Sequence, residues 1–318
     1  MEATRRLSAG ERSPDFVLAG PEGRPAHFYA LAGGRPVALV LGDETGARHR
    51  EITTQLDSRS DVDVLAVDGD AAAEVFGVAR GESVVIVLDP NLRVVAELSA
   101  SQPAADVVAL LCTLAPAPTS MQVSEQAPVL FIPRVLDRTH CERLIEVWHR
   151  SGDVETGVER VAQGVSGSQL DASFKRRRDH TVVEPGLLRE LTMTVGRRVM
   201  PEVAKAFAFQ ARRFEGFKIA CYDAASKGFF RPHRDNVSTS TAHRVFALSL
   251  NLNNDYEGGQ LRFSEYGQQL YRPEAGAALV FSCSHLHEVC EVTSGRRFVL
   301  LSFLYTGPAA PSSAPERA

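Results

Sequence analysis

Residues 220–236 read ACYDAASKGFFRPHRDN. An apolar segment ends at Tyr222, a glycine turn follows at Lys227-Gly228-Phe229-Phe230, and the stretch closes on a His-x-Asp element, His233-Arg234-Asp235. In an extended strand, residues i and i+2 point to the same side, so His233 and Asp235 can present an imidazole and a carboxylate to one point. Chance alone supplies roughly half of one such element in a chain of this composition, so the surroundings carry the weight. A second histidine, His287, lies just past the apolar run Ala277–Phe281, and Arg297 follows ten residues after it, at the start of the last long run.

Outward from this stretch the pattern is consistent. From Arg213 the chain alternates in short runs, Gly216–Tyr222, Val245–Leu252, Gln260–Phe263, Ala277–Phe281 and Phe298–Tyr305, with turns marked by Gly258-Gly259, Gly267, Gly276 and Gly295. Upstream, Val129–Ile132 reads as a strand, and Cys141, Leu144, Ile145 and Trp148 give Thr139–Ser151 a helical stripe. Thr139 and Glu142 fit a capping box there. Pro185–Phe209 reads as largely helical, entered from Glu184. Helices followed by many short strands predict an α+β domain with a sandwich or barrel. The segments Gly152–Asp179 and Asn236–Arg244 read as loops that set specificity, the run Lys175-Arg176-Arg177-Arg178-Asp179-His180 being either a solvated loop or a basic lip for an acidic substrate.

Two imidazoles and one carboxylate on one face give Fe(II) three ligands and leave three positions open for a bidentate oxo-acid and dioxygen. A nearby arginine can hold a distal carboxylate through its planar fork. The alternatives for these residues are a buried polar network or a structural zinc site. His285 is a rival to His287, and Arg296 to Arg297; strand alternation lets only one of the two arginines face a pocket.

The N-terminal segment alternates differently. Pro36–Leu41, Val62–Val67 and Ser83–Leu88 are continuous apolar runs, as strands buried on both faces would be. Ala71–Phe76 supplies helical material, Val94–Leu98 pairs back as a hairpin, and Pro103–Leu114 reads as a closing helix. Thr113–Pro128 (TLAPAPTSMQVSEQAP) is a linker by composition, and Pro308–Ala318 a loose tail.

These stretches carry two resemblances. Residues 213–305 resemble the Fe(II)/2-oxoglutarate dioxygenases of the prolyl 4-hydroxylase type, through Ala220–Asn236, Leu248–Phe263 (LSLNLNNDYEGGQLRF), Pro273–Phe281 (PEAGAALVF) and His287–Leu304 (HEVCEVTSGRRFVLLSFL). The resemblance implies a double-stranded β-helix, or jelly roll, with supporting helices. It implies Fe(II) held by His233, Asp235 and His287, the 5-carboxylate of 2-oxoglutarate held by Arg297, and contacts to the cosubstrate from Tyr222 and the Asn251 position. Asn251 stands where many relatives carry a tyrosine. It further implies dioxygen, ascorbate as a supporting reductant, and hydroxylation of a C–H bond in a peptidyl or free amino acid such as proline, with release of succinate and carbon dioxide. Relatives that halogenate replace the carboxylate ligand with a small residue; Asp235 keeps it.

Residues 10–114 resemble a thioredoxin-like redoxin of the peroxiredoxin type, through Gly10–Leu18 (GERSPDFVL), Gly23, Pro36–Leu41 and Val84–Asn91 (VVIVLDPN). A peroxidatic thiol would fall within residues 42–50, which read GDETGARHR, so the resemblance implies a redoxin scaffold without its cysteine. Cys112, among Leu110, Leu111 and Leu114, reads as packed. Such a domain would serve as scaffold, partner surface or homodimer contact.

The expected organisation is a redoxin-like α/β domain over residues 1–115, a linker over 116–128, the dioxygenase domain over 129–307 and a tail over 308–318. Composition agrees with two globular domains: 318 residues, 44% hydrophobic, 23% charged, net charge −4. That balance excludes bulk electrostatic binding to nucleic acid or an anionic membrane. No apolar run approaches a bilayer span, and Met1–Gly10 does not read as a signal peptide. Five irregularly spaced cysteines read as reduced thiols of a cytoplasmic protein. Two other functions fit parts of the sequence: a binding or sensor module that keeps the jelly roll without turnover, and a thiol peroxidase, which lacks its cysteine.

Overall fold

The computed structural model describes residues 5–307, apart from 21–22, 44, 58, 68–74, 80, 115–119, 121, 156–157, 163–164 and 170; for residues 156–170 only the backbone is described. The chain forms two compact units, residues 1–122 and 123–318. The tail, much of the linker and residues 71–74 of the expected helix Ala71–Phe76 lie outside the described residues.

In the first unit, Val37–Leu41 (β1), Asp63–Val67 (β2), Val84–Leu88 (β3) and Val94–Ser99 (β4) form one sheet in the order β2-β1-β3-β4. β1 and β2 are parallel, while β3 runs antiparallel to β1 and β4 to β3. Every residue of β1 and β3 is buried, because both sheet faces are covered. One face packs on Ile52 of helix Ala47–Gln55 (α1) and on Val107 and Leu111 of helix Ala104–Leu114 (α2). The other face meets Phe16, Phe28 and Phe76.

The second unit is layered. Helices Arg138–Ser151 (α3) and Pro185–Phe207 (α4) cover one face of a large sheet, through Leu144, Trp148, Leu191, Val195 and Val199. That sheet contains Val129–Ile132 (β5), Arg178–Thr181 (β7), Lys218–Asp223 (β8), Phe246–Asn251 (β10), Ala278–Ser282 (β14) and the long Val292–Tyr305 (β16), in the order β5-β14-β10-β16-β8-β7. A second sheet lines up Lys175–Arg176 (β6), Phe229–His233 (β9), His287–Val289 (β15), Leu261–Arg262 (β12) and Leu270–Tyr271 (β13). Tyr256–Gly258 (β11) pairs with β16. From β8 onward the chain passes repeatedly from one sheet to the other, which is the strand order of a jelly roll. Tyr222, Ala247, Phe281 and Val299 of the large sheet share a core with Leu261, Phe263 and Val289 of the small one.

The structure corrects several local readings. α3 is capped by Asp137, whose carboxylate accepts from the His140 N–H at 2.8 Å, and the helix starts one residue before Thr139. Glu184 caps α4 as its position suggested, accepting from the Gly186 and Leu187 N–H groups. Gly295 is no turn: it lies inside β16 opposite Tyr256, at φ +69°, where a Cβ would come within 2.4 Å of the Asp255 carbonyl. The stretch 152–181 is not a plain loop. It holds the short strand Val154–Glu155, the hairpin Val158–Ala162 with Val165–Gln169, and β6 and β7.

Candidate metal centre and its cavity

β9 and β15 pair so that His233 stands directly opposite His287. Asp235 follows β9, with its backbone N–H donating to the Cys283 carbonyl at 2.9 Å. These pairings bring the three side chains together. The Asp235 carboxylate lies 3.5 Å from Nε2 of His233 and 3.4 Å from Nε2 of His287. Among the described residues, this trio is the one cluster of His, Cys, Asp and Glu whose donor atoms gather closely enough for a metal ion.

The rings are aimed by backbone. His233 Nδ1 lies 2.8 Å from the Arg231 carbonyl, and His287 Nδ1 lies 3.1 Å from the His285 carbonyl. A carbonyl can only accept, so each Nδ1 carries the proton and each Nε2 offers a lone pair toward Asp235. Phe230 stacks on the His233 ring at 3.5 Å, and Phe281 meets His287 edge-on at 4.6 Å. Burial, partly opposed by Asp235, holds His287 down to about 4. Burial pushes the Asp235 carboxyl upward, but the two histidines outweigh it and bring it to about 2. Asp235 and His287 are therefore deprotonated at neutral pH, as a metal requires. Two imidazole nitrogens and one carboxylate fit Fe(II) and leave positions open.

The trio opens into a cavity of about 990 Å³ between the two sheets. Arg297 lines it from β16 and is 2% exposed, while Arg296 is exposed, so alternation selects the pair member that the spacing favoured. Arg297 Nη2 donates to Asn251 Oδ1 at 3.1 Å and Ser249 Oγ at 3.3 Å, while its Nε has no partner. Gly259 makes room for this arginine: a Cβ there would sit 2.9 Å from Arg297 Cδ. Tyr222 is buried opposite Arg297 in register and lines the same cavity. Asn251 does not line it. It sits behind Arg297, its Nδ2 donating to Tyr256 Oη at 2.7 Å and to the Pro273 carbonyl at 2.6 Å. His285 stays outside the trio, and its Nδ1 lacks a partner.

Sequence reading missed Ser249 and saw Lys175, Arg177 and Asp179 only as part of a basic run. Ser249 lines the cavity beside Arg297; a polar residue two positions before Asn251 in an apolar run was the signal for it. The basic run Lys175–His180 is largely structural. Arg177 grips Asp179 with two hydrogen bonds of 2.7 Å and reaches Tyr222 Oη at 3.3 Å. Lys175 is buried with its ammonium 5.2 Å from the Phe230 ring centre, and burial followed by the Arg177 charge lowers it to about 6.

Residues 217–305 match the family model described as the 2OG-Fe(II) oxygenase superfamily. The chain is 33% identical over 93 residues to a PKHD-type hydroxylase of Synechococcus sp. (strain JA-2-3B'a(2-13)), covering 27% of this chain and 41% of that protein. It is 26% identical over 175 residues to a PKHD-type hydroxylase of Synechococcus sp. (strain CC9311), covering 54% and 75%. The chain thus spans about two fifths of the length of the first of these curated relatives. A solved structure of a Pseudomonas putida prolyl-4-hydroxylase aligns at a TM-score of 0.41 and 16% identity, covering 57% of this chain and 95% of that one.

Proposed function

We propose that the second unit is an Fe(II)- and 2-oxoglutarate-dependent dioxygenase that hydroxylates a C–H bond of a peptidyl or free amino acid such as proline. One observation carries the reading: the Nε2 atoms of His233 and His287 and the Asp235 carboxylate converge in a cavity that Arg297 also enters, with its guanidinium Nε unpartnered. An orphaned buried donor is costly unless a ligand satisfies it, and a distal carboxylate is the ligand an arginine fork suits.

His233, Asp235 and His287 would hold the metal. Arg297, steadied from behind by Asn251 and flanked by Ser249, would take the 5-carboxylate of 2-oxoglutarate. Tyr222 accepts from Arg177, which leaves its own O–H proton to donate to the cosubstrate. Bound iron with dioxygen supplies the oxidation: 2-oxoglutarate loses carbon dioxide, one oxygen atom enters succinate and the other enters the substrate C–H bond. Because Asp235 occupies the third ligand position, hydroxylation is the outcome rather than halogenation. Ascorbate would keep the iron reduced.

The first unit reads as a redoxin-type scaffold over residues 1–115. The sheet order β2-β1-β3-β4 with one parallel pair, flanked by helices, supports this. Without a cysteine between residues 42 and 50, it would act through contacts, with a partner protein or a second copy. Residues 116–128 would link it to a catalytic domain at 129–307, with 308–318 as a tail. No helix among the described residues is long and apolar enough to cross a membrane, and we place the protein in the cytoplasm on its unpaired thiols.

The test is mass spectrometry of proline, prolyl peptides and cell lysate after incubation with the protein, Fe(II), 2-oxoglutarate and labelled dioxygen. The expected result is a single labelled oxygen in a product, with matching succinate. His233→Ala is expected to abolish metal binding and substrate-free decay of 2-oxoglutarate. Turnover that survives this substitution would refute the site assignment.

A further inference from the structure

We propose that Glu265 is a positioning residue of the metal centre: by holding Arg234 and the Leu286 N–H with one carboxylate, it fixes the His233–Asp235 segment against the segment that leads into His287. This rests on the metal-centre reading above and adds to it how the three ligands are kept in place.

The strand ladder does not hold the trio by itself. β9 and β15 pair at Phe230 with Val289 and at His233 with His287, with an irregular register between. Asp235 lies beyond the last pair on one side, and residues 283–286 lie beyond it on the other, both outside the strands. Side chains tie these two segments together. The Asp235 N–H bond to the Cys283 carbonyl is joined by Asn236 Nδ2, which donates to Ser284 Oγ at 2.8 Å, and by Arg234, which donates to the Ser284 carbonyl. Glu265 then fastens both sides at once. Its Oε1 accepts from Arg234 Nη2 at 2.6 Å, and its Oε2 accepts from Arg234 Nη1 at 3.2 Å and from the Leu286 N–H at 2.8 Å. Arg234 stands between two of the proposed ligands, and Leu286 directly precedes the third.

Glu265 is itself well anchored. It lies in the turn between β12 and β13, two residues after Phe263. Phe263 is buried, and its ring packs on Phe281 at 4.9 Å and on His287 at 6.0 Å. The Tyr266 N–H closes the turn on the Phe263 carbonyl at 2.9 Å. An exposed ion pair alone contributes little to stability. Here a forked bond and a backbone bond share one carboxylate, so they constrain two backbones whose separation sets the spacing of the ligands. Partners that orient metal ligands directly change metal affinity by about 10–100-fold when removed; Glu265 acts one bond further out, so about tenfold is expected.

The test is Mn(II) binding to the full chain, read by electron spin resonance, with urea unfolding of each variant alongside. Glu265→Ala is expected to weaken Mn(II) binding by about tenfold and to broaden the signal of the bound ion, as a loosened ligand set would. That substitution also removes a negative charge near the ion, so the decisive variant is Arg234→Met combined with Glu265→Ala, which leaves the net charge unchanged. Positioning predicts that the double variant stays about tenfold weak. Binding restored to the wild-type level would reveal a charge effect only and overturn the proposal, as would unchanged affinity in Glu265→Ala. Asp137→Ala, at the cap of α3, is the stability control and is expected to leave Mn(II) affinity unchanged. A loss there equal to that of Glu265→Ala would reduce the effect to general destabilisation and overturn the proposal too. If Glu265→Ala does not fold, Glu265→Gln takes its place in both comparisons, with the same outcomes deciding. Failure of the underlying reading is separable: there, Asp235→Ala would bind Mn(II) as the wild type does.

Discussion

His287, a proposed metal ligand, is oriented and kept neutral by the scaffold itself. Its Nδ1 proton is committed to the His285 carbonyl, and burial keeps Nε2 unprotonated. An unfolded imidazole takes its proton near pH 6.5, whereas the folded one waits until about 4. Between these values the unfolded state binds more protons, so this contribution is full above about pH 6.5 and is lost as pH falls toward 4. Metal-free protein should therefore lose urea stability between pH 7 and 4, by a few kcal/mol at most from this group. His287→Gln should flatten that part of the profile; an unchanged slope would show that the group titrates normally. Arg297 gives a second expectation. Lys in its place keeps the charge but loses the fork, so Arg297→Lys should weaken 2-oxoglutarate binding by tenfold or more, measured by calorimetry on the Mn(II) form. That His233, Asp235 and His287 would meet, and that Arg297 and Tyr222 would face the same cavity, was legible because two-residue alternation and motif spacing act locally. Arg177 and Lys175 were not, because a run of four cations resembles a solvated face until pairing shows which side chains turn inward.

Elements tell the same story over a longer range. The helical stripes and apolar runs were legible, since each is set by its own residues packing on one face. The cap of α3 was misread: the pattern pointed to Thr139 with Glu142, but only the backbone decides which side chain meets a free N–H. It chose Asp137, so Asp137→Ala should lower stability by about 1 kcal/mol, while Thr139→Ala should change little. Equal effects in chemical denaturation would contradict the assigned cap. The strands between 152 and 181 escaped reading because their partners are remote. β7 pairs with β8 some forty residues later, and β6 pairs with β9 more than fifty residues later. Nothing in a short polar segment announces a ladder supplied from that distance. Gly295 failed for a related reason: it reads as a turn, yet its positive φ serves a close approach to Asp255 within a long strand.

At the scale of the molecule, the core clusters respect the division at residue 122. The clusters around Phe28 and around Ile52 draw only on residues of the first unit, and those around Val195 and around Phe263 only on residues of the second. The cavity is lined by residues from Glu155 to Phe303, all in the second unit. A unit of nearly two hundred residues with two apolar layers of its own is large enough to fold unaided. Residues 123–318 expressed alone should then unfold cooperatively and bind Mn(II) with the affinity of the full chain, within about threefold, by electron spin resonance. The first unit alone should bind none specifically, since the trio is absent from it. If the isolated second unit is unfolded, or folds but loses the metal, then residues 1–122 contribute to the site itself, and the first unit would have to be rebuilt into the account as part of the catalytic machinery.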